Sequence, residues 1–214
     1  MKVKVCGINQ LEQLEVLDAI GVDYVGMIFF SQSARNVYNR LFAWEVKPLP
    51  LRMKKVGVFV NTDEEYIMSQ VEAYGLDMVQ LHGDETPAFC KTISEQVAVS
   101  KAFRITRTNE QNIDWMIRPY EEYCDYYLFD TNRKNAYGGT GEKFDWKVLN
   151  ENKINKPFFL SGGIALADVE KLKAFEHPFF YAVDINSRFE ISPGIKDLSA
   201  ITTFVQELAG KKIN

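Results

Sequence analysis

Eight short β-rich runs recur along the chain, at 2–6, 23–29, 55–60, 78–82, 97–103, 126–130, 158–161 and 179–185, with helix-like stretches between them. Successive runs begin 19 to 32 residues apart, more than the roughly 10–12 residues a parallel crossover requires. Several are almost continuously apolar, as Tyr126-Tyr127-Leu128-Phe129 is, which suits strands covered on both faces. Eight strand–helix units in 214 residues fit a closed barrel better than an open doubly wound sheet. The open sheet also lacks its dinucleotide fingerprint, because Cys6-Gly7-Ile8-Asn9 has no second or third glycine at the required spacing. No Ser/Pro/Gly tract or like-charge block marks a linker. The expectation is an α/β fold, a single-domain (β/α)8 TIM barrel spanning residues 1–214.

The stretches between the runs carry helix signals. Asn9 stands three residues before Glu12, and Thr62 three before Glu65, both in capping-box register. After Thr62, the residues Ile67, Met68, Val71 and Tyr74 form one apolar stripe, and Gly75 stands where a left-handed terminator would. Thr86-Pro87 reads as an N-cap followed by a first-turn proline. Near the end, Leu198, Ile201, Val205 and Leu208 line one face, with Asp197 as cap and Gly210 as stop.

A composition of 46% apolar and 25% charged residues excludes disorder. The formal net charge of -4 and a pI near 5.4 argue against nucleic acid or an anionic membrane as the main partner. No basic-apolar leader opens the chain, and no apolar run nears the ~20 residues that span a bilayer. The three cysteines, Cys6, Cys90 and Cys124, show no metal-ligand spacing, and the two histidines, His82 and His177, have no Cys or His partner nearby. Free thiols, a cytoplasmic setting and no metal site are therefore expected.

In a parallel barrel, functional groups gather where strands end and βα loops begin. Four of the runs end in Cys6, His82, Asp130 and Ser161, and a fifth carries Asp184 at its end. Cys6 reads as a small buried hydrophobe or as a thiolate base, which needs a cation or helix N-terminus nearby. Strand alternation puts Lys4 on the same face; inside a barrel it would need a carboxylate partner and would favour the thiolate. Asp130 reads as a loop cap or as an acid–base group whose proton burial beside aromatic walls would retain. His82 reads as a hydrogen-bonded rim residue or a substrate contact.

Three loops add to this. The connection 131–143 holds Gly138-Gly139-Thr140-Gly141 and is long enough for a lid or binding loop, or for a plain surface excursion. Gly162-Gly163 follows the seventh run and Asn186-Ser187 the eighth, the two loops that commonly hold phosphate in barrels through backbone N–H groups. Arg35, after the second run, can hold a carboxylate in a planar fork or remain a solvated loop charge.

Taken together, these segments resemble the phosphoribosylanthranilate isomerase family. The runs that carry the resemblance include Lys4-Val5-Cys6-Gly7-Ile8, Val56-Gly57-Val58-Phe59-Val60-Asn61, Val79-Gln80-Leu81-His82-Gly83, Phe129-Asp130-Thr131, Leu160-Ser161-Gly162-Gly163-Ile164 and Asn186-Ser187-Arg188-Phe189-Glu190. They stand in the family's order and cover essentially the whole chain. One departure is Ser33-Ala34-Arg35-Asn36-Val37, which keeps the arginine of the family's Ser-Pro-Arg-Tyr-Val type of run but not its proline.

The resemblance implies an Amadori rearrangement of N-(5′-phosphoribosyl)anthranilate in tryptophan biosynthesis, an aldose–ketose isomerisation of the intramolecular oxidoreductase class that needs no cofactor. It implies Cys6 as general base and Asp130 as general acid. Arg35 would meet the anthranilate carboxylate, Gly162, Gly163, Asn186 and Ser187 the phosphate, and His82 and Asp184 the substrate between them. The partner implied is a small phosphorylated molecule, with the chain a monomer or a homodimer. The histidine-pathway isomerase performs the same rearrangement, but its first-strand base is an aspartate, and Cys6 discriminates against it. A barrel that binds a phosphorylated ligand without turnover is the non-enzymatic alternative.

Overall fold

A computed structural model describes residues 1–106, 108–131 and 144–210. Apart from Thr131, the connection read at 131–143 lies outside the described residues. Eight strands pair in sequence order, all parallel: β1 (Lys2–Cys6), β2 (Tyr24–Ile28), β3 (Lys54–Phe59), β4 (Met78–Leu81), β5 (Ala98–Ile105), β6 (Tyr126–Thr131), β7 (Phe158–Leu160) and β8 (Phe180–Ile185). Lys2 through Val5 pair with Ala182 through Ile185 and close the barrel.

Strand alternation divides the apolar side chains into two cores. Outward residues such as Val3, Val5, Val25, Met27 and Leu81 pack under the surrounding helices. Inward residues, among them Tyr24, Val56, Met78, Leu128 and Phe159, fill the lower interior. The N-terminal end of the barrel is stopped by aromatics: the Tyr24 and Tyr181 hydroxyls meet at 2.6 Å, Tyr24 packs edge-on to Phe159 at 5.3 Å, and Tyr126 packs on both Phe159 and Tyr181. Each such ring pair stabilises by ~0.5–1.5 kcal/mol beyond the area it buries. Above this layer the inward positions turn polar, with Lys4, Gln80, Ser100 and Asp184 all buried. The chemistry therefore sits at the other end.

The helices are α1 (Leu11–Ala19), α2 (Ala43–Val46), α3 (Glu64–Tyr74), α4 (Pro87–Ser94), α5 (Ile113–Ile117), α6 (Val169–Ala174) and α7 (Leu198–Leu208). Thr86 caps α4 by accepting from the Phe89 amide at 3.2 Å, Asp197 caps α7 through Ala200 at 3.0 Å, and Gly75 ends α3 at φ 62°. Two expected caps differ. Asp63, not Thr62, caps α3, accepting from the Tyr66 amide at 2.7 Å; a carboxylate one residue on also answers the helix dipole. Nor does Asn9 cap α1, whose Gln10 N-cap makes no side-chain bond; Asn9 is drawn instead to Gly194 and Arg40. On α7 the buried pair is Ile201 and Phe204, because Phe204 packs edge-on against Phe189 at 5.0 Å. Leu198, Val205 and Leu208 lie half-buried. Between β6 and β7 the described helical segment is a 3-10 turn at Trp146–Glu151, and a hairpin of β9 (Glu190–Ser192) and β10 (Ile195–Lys196) follows β8.

One buried ion pair ties the β4 loop to the barrel wall. Lys101 on β5 meets Glu85 at 3.0 Å and also donates to the Gly83 carbonyl at 2.8 Å, while the other Glu85 oxygen accepts from the Asn61 and Gly83 amides. Removing one partner of such a pair costs ~3–5 kcal/mol, because the other charge is left uncompensated. Lys101→Met should therefore lower unfolding free energy by about that amount in urea titrations. Adding Glu85→Gln to it should recover a substantial part.

Candidate active site

A cavity of about 420 Å³ opens at the C-terminal ends of the strands. This is a volume suited to a small-molecule ligand. Its floor is built from β1, β2 and β8. Lys4, one turn of the pleat below Cys6, donates to Asp184 at 2.9 Å, with both side chains buried. Burial works against the Lys4 charge, but Asp184 and Cys6 outweigh it and hold the ammonium above its ordinary value. Cys6 lines the cavity. Burial pushes its thiol up, and Lys4 pulls the other way without cancelling the effect. Space for both comes from Gly26 on β2: a Cβ there would stand 2.8 Å from Cys6 Sγ and 3.2 Å from Lys4 Nζ.

The second wall comes from β4, β5 and β6. Gln80 and His82 alternate onto the inner face, and the Gln80 amide nitrogen lies 2.8 Å from His82 Nδ1. His82 Nε2 faces Asp130 Oδ2 at 3.5 Å, and each of these side chains is 27% exposed. Asp130 is thus a half-buried rim carboxylate that lines the cavity, without the full burial that would retain its proton. Arg104, paired in register with Asp130, donates to the His82 carbonyl at 3.1 Å.

The third wall follows β7 and β8. Gly162 and Gly163 have φ of +98° and +72°, a left-handed run that turns the backbone toward the cavity. A side chain at Gly162 would collide with Thr131 on the neighbouring strand. Asn186 and Ser187 line the same side, with Asn186 Oδ1 accepting from Lys196 Nζ at 2.7 Å. Such a rim of backbone amides and small polar groups can hold an anion.

The structure thus gathers Cys6, His82, Asp130, Gly162, Gly163, Asp184, Asn186 and Ser187 around one cavity. Arg35 stands apart. Its Nε and Nη2 are taken by Glu190 on β9, at 2.9 Å and 2.7 Å, and its neighbour Ser33 rather than Arg35 lines the cavity. Sequence reasoning passed over Arg104, because its run was closed at 103, before the charge on the rim. Gln80 was legible: it stands two residues before His82, on the same face. Glu190 carried no local signal. Among the described residues, no group of three or more His, Cys, Asp or Glu could hold a metal, and no helix is long and apolar enough to cross a membrane.

A closed parallel barrel with a thiol, a rim carboxylate and a left-handed glycine turn gathered at the C-terminal mouth has the architecture of the barrel enzymes, whose sites sit at that end. The family model described as N-(5'phosphoribosyl)anthranilate (PRA) isomerase matches residues 3–207. An N-(5'-phosphoribosyl)anthranilate isomerase of Parabacteroides distasonis is 39% identical over 97% of this chain and 93% of its own. The crystal structure of the Thermotoga maritima phosphoribosyl anthranilate isomerase superposes with a TM-score of 0.81 at 32% identity, covering 98% of this chain and 99% of that one. Another, at 30% identity and a TM-score of 0.79 with the same coverage, is of a phosphoribosyl anthranilate isomerase in complex with reduced 1-(o-carboxyphenylamino)-1-deoxyribulose 5-phosphate. The chain belongs to the phosphoribosylanthranilate isomerase family.

Glu190 is the hub of the third wall, bonded to Arg35, Lys196 and the Gly194 amide. Burial pushes its carboxyl up, but Arg35 and Lys196 overcome this and hold it below the ordinary glutamate value. A carboxylate with a depressed folded-state pKa stabilises the fold above its unfolded value and ceases to do so as pH falls through the folded one. Glu190→Gln leaves the buried Lys196 ammonium unpaired and should cost ~3–5 kcal/mol at neutral pH. The gap from wild type should narrow as denaturation is repeated at progressively lower pH, and close only once the pH has fallen through the depressed folded-state value.

Proposed function

We propose that this chain isomerises N-(5′-phosphoribosyl)anthranilate to 1-(2-carboxyphenylamino)-1-deoxyribulose 5-phosphate, with Asp130 as general acid and Cys6 as general base. The observation that carries the reading is that a thiol and a rim carboxylate line the same cavity in a chain whose family has this activity. Asp130 gives its proton to the furanose ring oxygen as the C1′–O bond breaks, and the nitrogen lone pair forms the imine. Cys6, as thiolate, removes the C2′ proton, and the electrons left behind flow into the protonated imine to give the enolamine. Reprotonation at C1′ as the C2′ hydroxyl loses its proton yields the aminoketose. The protonated imine is itself the electron sink, so the proposal calls for no cofactor.

The two anions would have separate anchors at the mouth. Backbone amides at Gly162 and Gly163, with Asn186 and Ser187, suit the phosphate. Arg35 would meet the anthranilate carboxylate through Nη1, the guanidinium nitrogen that Glu190 does not take. Asp184 would act through Lys4, which it holds beneath the thiol, and His82 would contact the reacting sugar beside Asp130. Anchoring both ends places the sugar between base and acid, which converts binding into orientation. The proposed setting is cytoplasmic, where Cys6, Cys90 and Cys124, all free thiols here, stay reduced.

Cys6→Ala and Asp130→Asn should each lower kcat by ~10²–10⁴-fold, while affinity for a reduced product analogue changes little. Either variant turning over at the wild-type rate ends the assignment. Because the Cys6 thiol is raised, the base form is scarce at neutral pH, and kcat/KM should climb as pH rises above neutral. A flat profile there would remove Cys6 from the role. Arg35→Met should raise KM by roughly 10–150-fold and erase the preference for the natural substrate over an aniline analogue lacking the carboxylate. An unchanged preference would return Arg35 to a purely structural bond with Glu190.

A further inference from the structure

We propose that Gln80 is a positioning residue of the reaction, setting the tautomer of His82 so that the imidazole presents Nε2–H to Asp130. Gln80 is fully buried on the inner face of β4, two residues before His82, and its amide nitrogen is the atom 2.8 Å from His82 Nδ1. An amide nitrogen only donates. Nδ1 must therefore accept, and the proton of the neutral ring lies on Nε2. That nitrogen faces Asp130 Oδ2 at 3.5 Å, a small torsion short of a hydrogen bond.

The rest of the ring's surroundings leave it little choice. The His82 backbone is held at both ends, its amide donating to the Phe59 carbonyl at 2.9 Å and its carbonyl accepting from Arg104 at 3.1 Å. Only the side-chain torsions remain, and Gln80 and Asp130 face the two ring nitrogens. An Nε2–H aimed at one Asp130 oxygen turns the other oxygen, the one that carries the proton, toward the cavity. With the opposite tautomer, Nε2 would accept the Asp130 proton and draw it away from the substrate. Gln80 thereby decides which way the acid points.

This inference rests on Asp130 being the general acid, but its test does not. The chain has two histidines, so ring 15N spectra of labelled protein resolve them, with His177→Gln supplying the assignment. Wild type should show an unprotonated Nδ1 and a protonated Nε2 at His82, and Asp130→Ala should leave that state unchanged. Gln80→Glu, which replaces the donor by an acceptor, should move a proton onto Nδ1 and lower kcat by about 10–100-fold with KM held within about threefold. Gln80→Met, if the glutamate variant does not fold, should mix the tautomers and lower kcat about tenfold. A proton on Nδ1 in wild type, loss of the tautomer in Asp130→Ala, or wild-type kcat in the folded Gln80 variants would each overturn the proposal. Wild-type kcat in Asp130→Asn would sink the reading of the acid and leave the tautomer result standing.

Discussion

The pair of Lys4 and Asp184 lies where the first and last strands of the barrel meet, 180 residues apart in sequence and 2.9 Å apart in space. A buried charge without a partner is costly, and two partners on β1 and β8 leave one seam at which both are satisfied. Lys4 of the pair also places an ammonium beneath Cys6, opposing the burial that raises the thiol, so closing the sheet and setting the charge under Cys6 are one event. Gly26 completes the arrangement by leaving the room a side chain on β2 would take. The site's floor is therefore as much a part of the fold as its apolar layers.

Above that floor the mouth is assembled from two walls of different chemistry. The wall of β4, β5 and β6 is made of side chains whose protons matter, and their directions are set by neighbours on the same strands. The opposite wall is made of backbone turned toward the cavity at two left-handed glycines, with Asn186 and Ser187 beside it. Glu190 braces this glycine wall from behind, joining the β2 loop through Arg35 to the β9–β10 hairpin through Lys196. That wall is thus held in place by residues that do not themselves line the cavity.

Much of this was legible in the sequence because parallel barrel strands are covered on both faces and stand out as apolar runs. β1 begins and ends where its run does, and the other runs place their strands within two residues at either end. The polar residues that close five of those runs all reach the cavity, as the geometry of parallel barrels requires. What stayed hidden depended on distance. Glu190 meets Arg35 across 155 residues, and no local pattern encodes that. Arg104 stands one residue before the end of β5 and adds a charge there, which a hydrophobic run cannot show. Thr62 lost the helix cap to Asp63 because two good caps stood side by side and only the dipole separated them. The Glu85–Lys101 pair forms across 16 residues inside the protein, and nothing local to either charge marks it.

The tyrosine stopper at the N-terminal end gives the barrel a direction. Tyr24, Tyr126 and Tyr181, with Phe159 above them, close that end, so among the described residues the door from the interior to solvent is the C-terminal mouth. When a ligand fills the mouth it closes that door on itself. In the proposed reaction a hydrogen taken from carbon at the floor would have the aromatic layer below it and the ligand above, so its residence inside would follow how long the ligand stays. The balance between internal return and exchange with solvent is in that sense decided by the bottom of the barrel, the end farthest from the ligand.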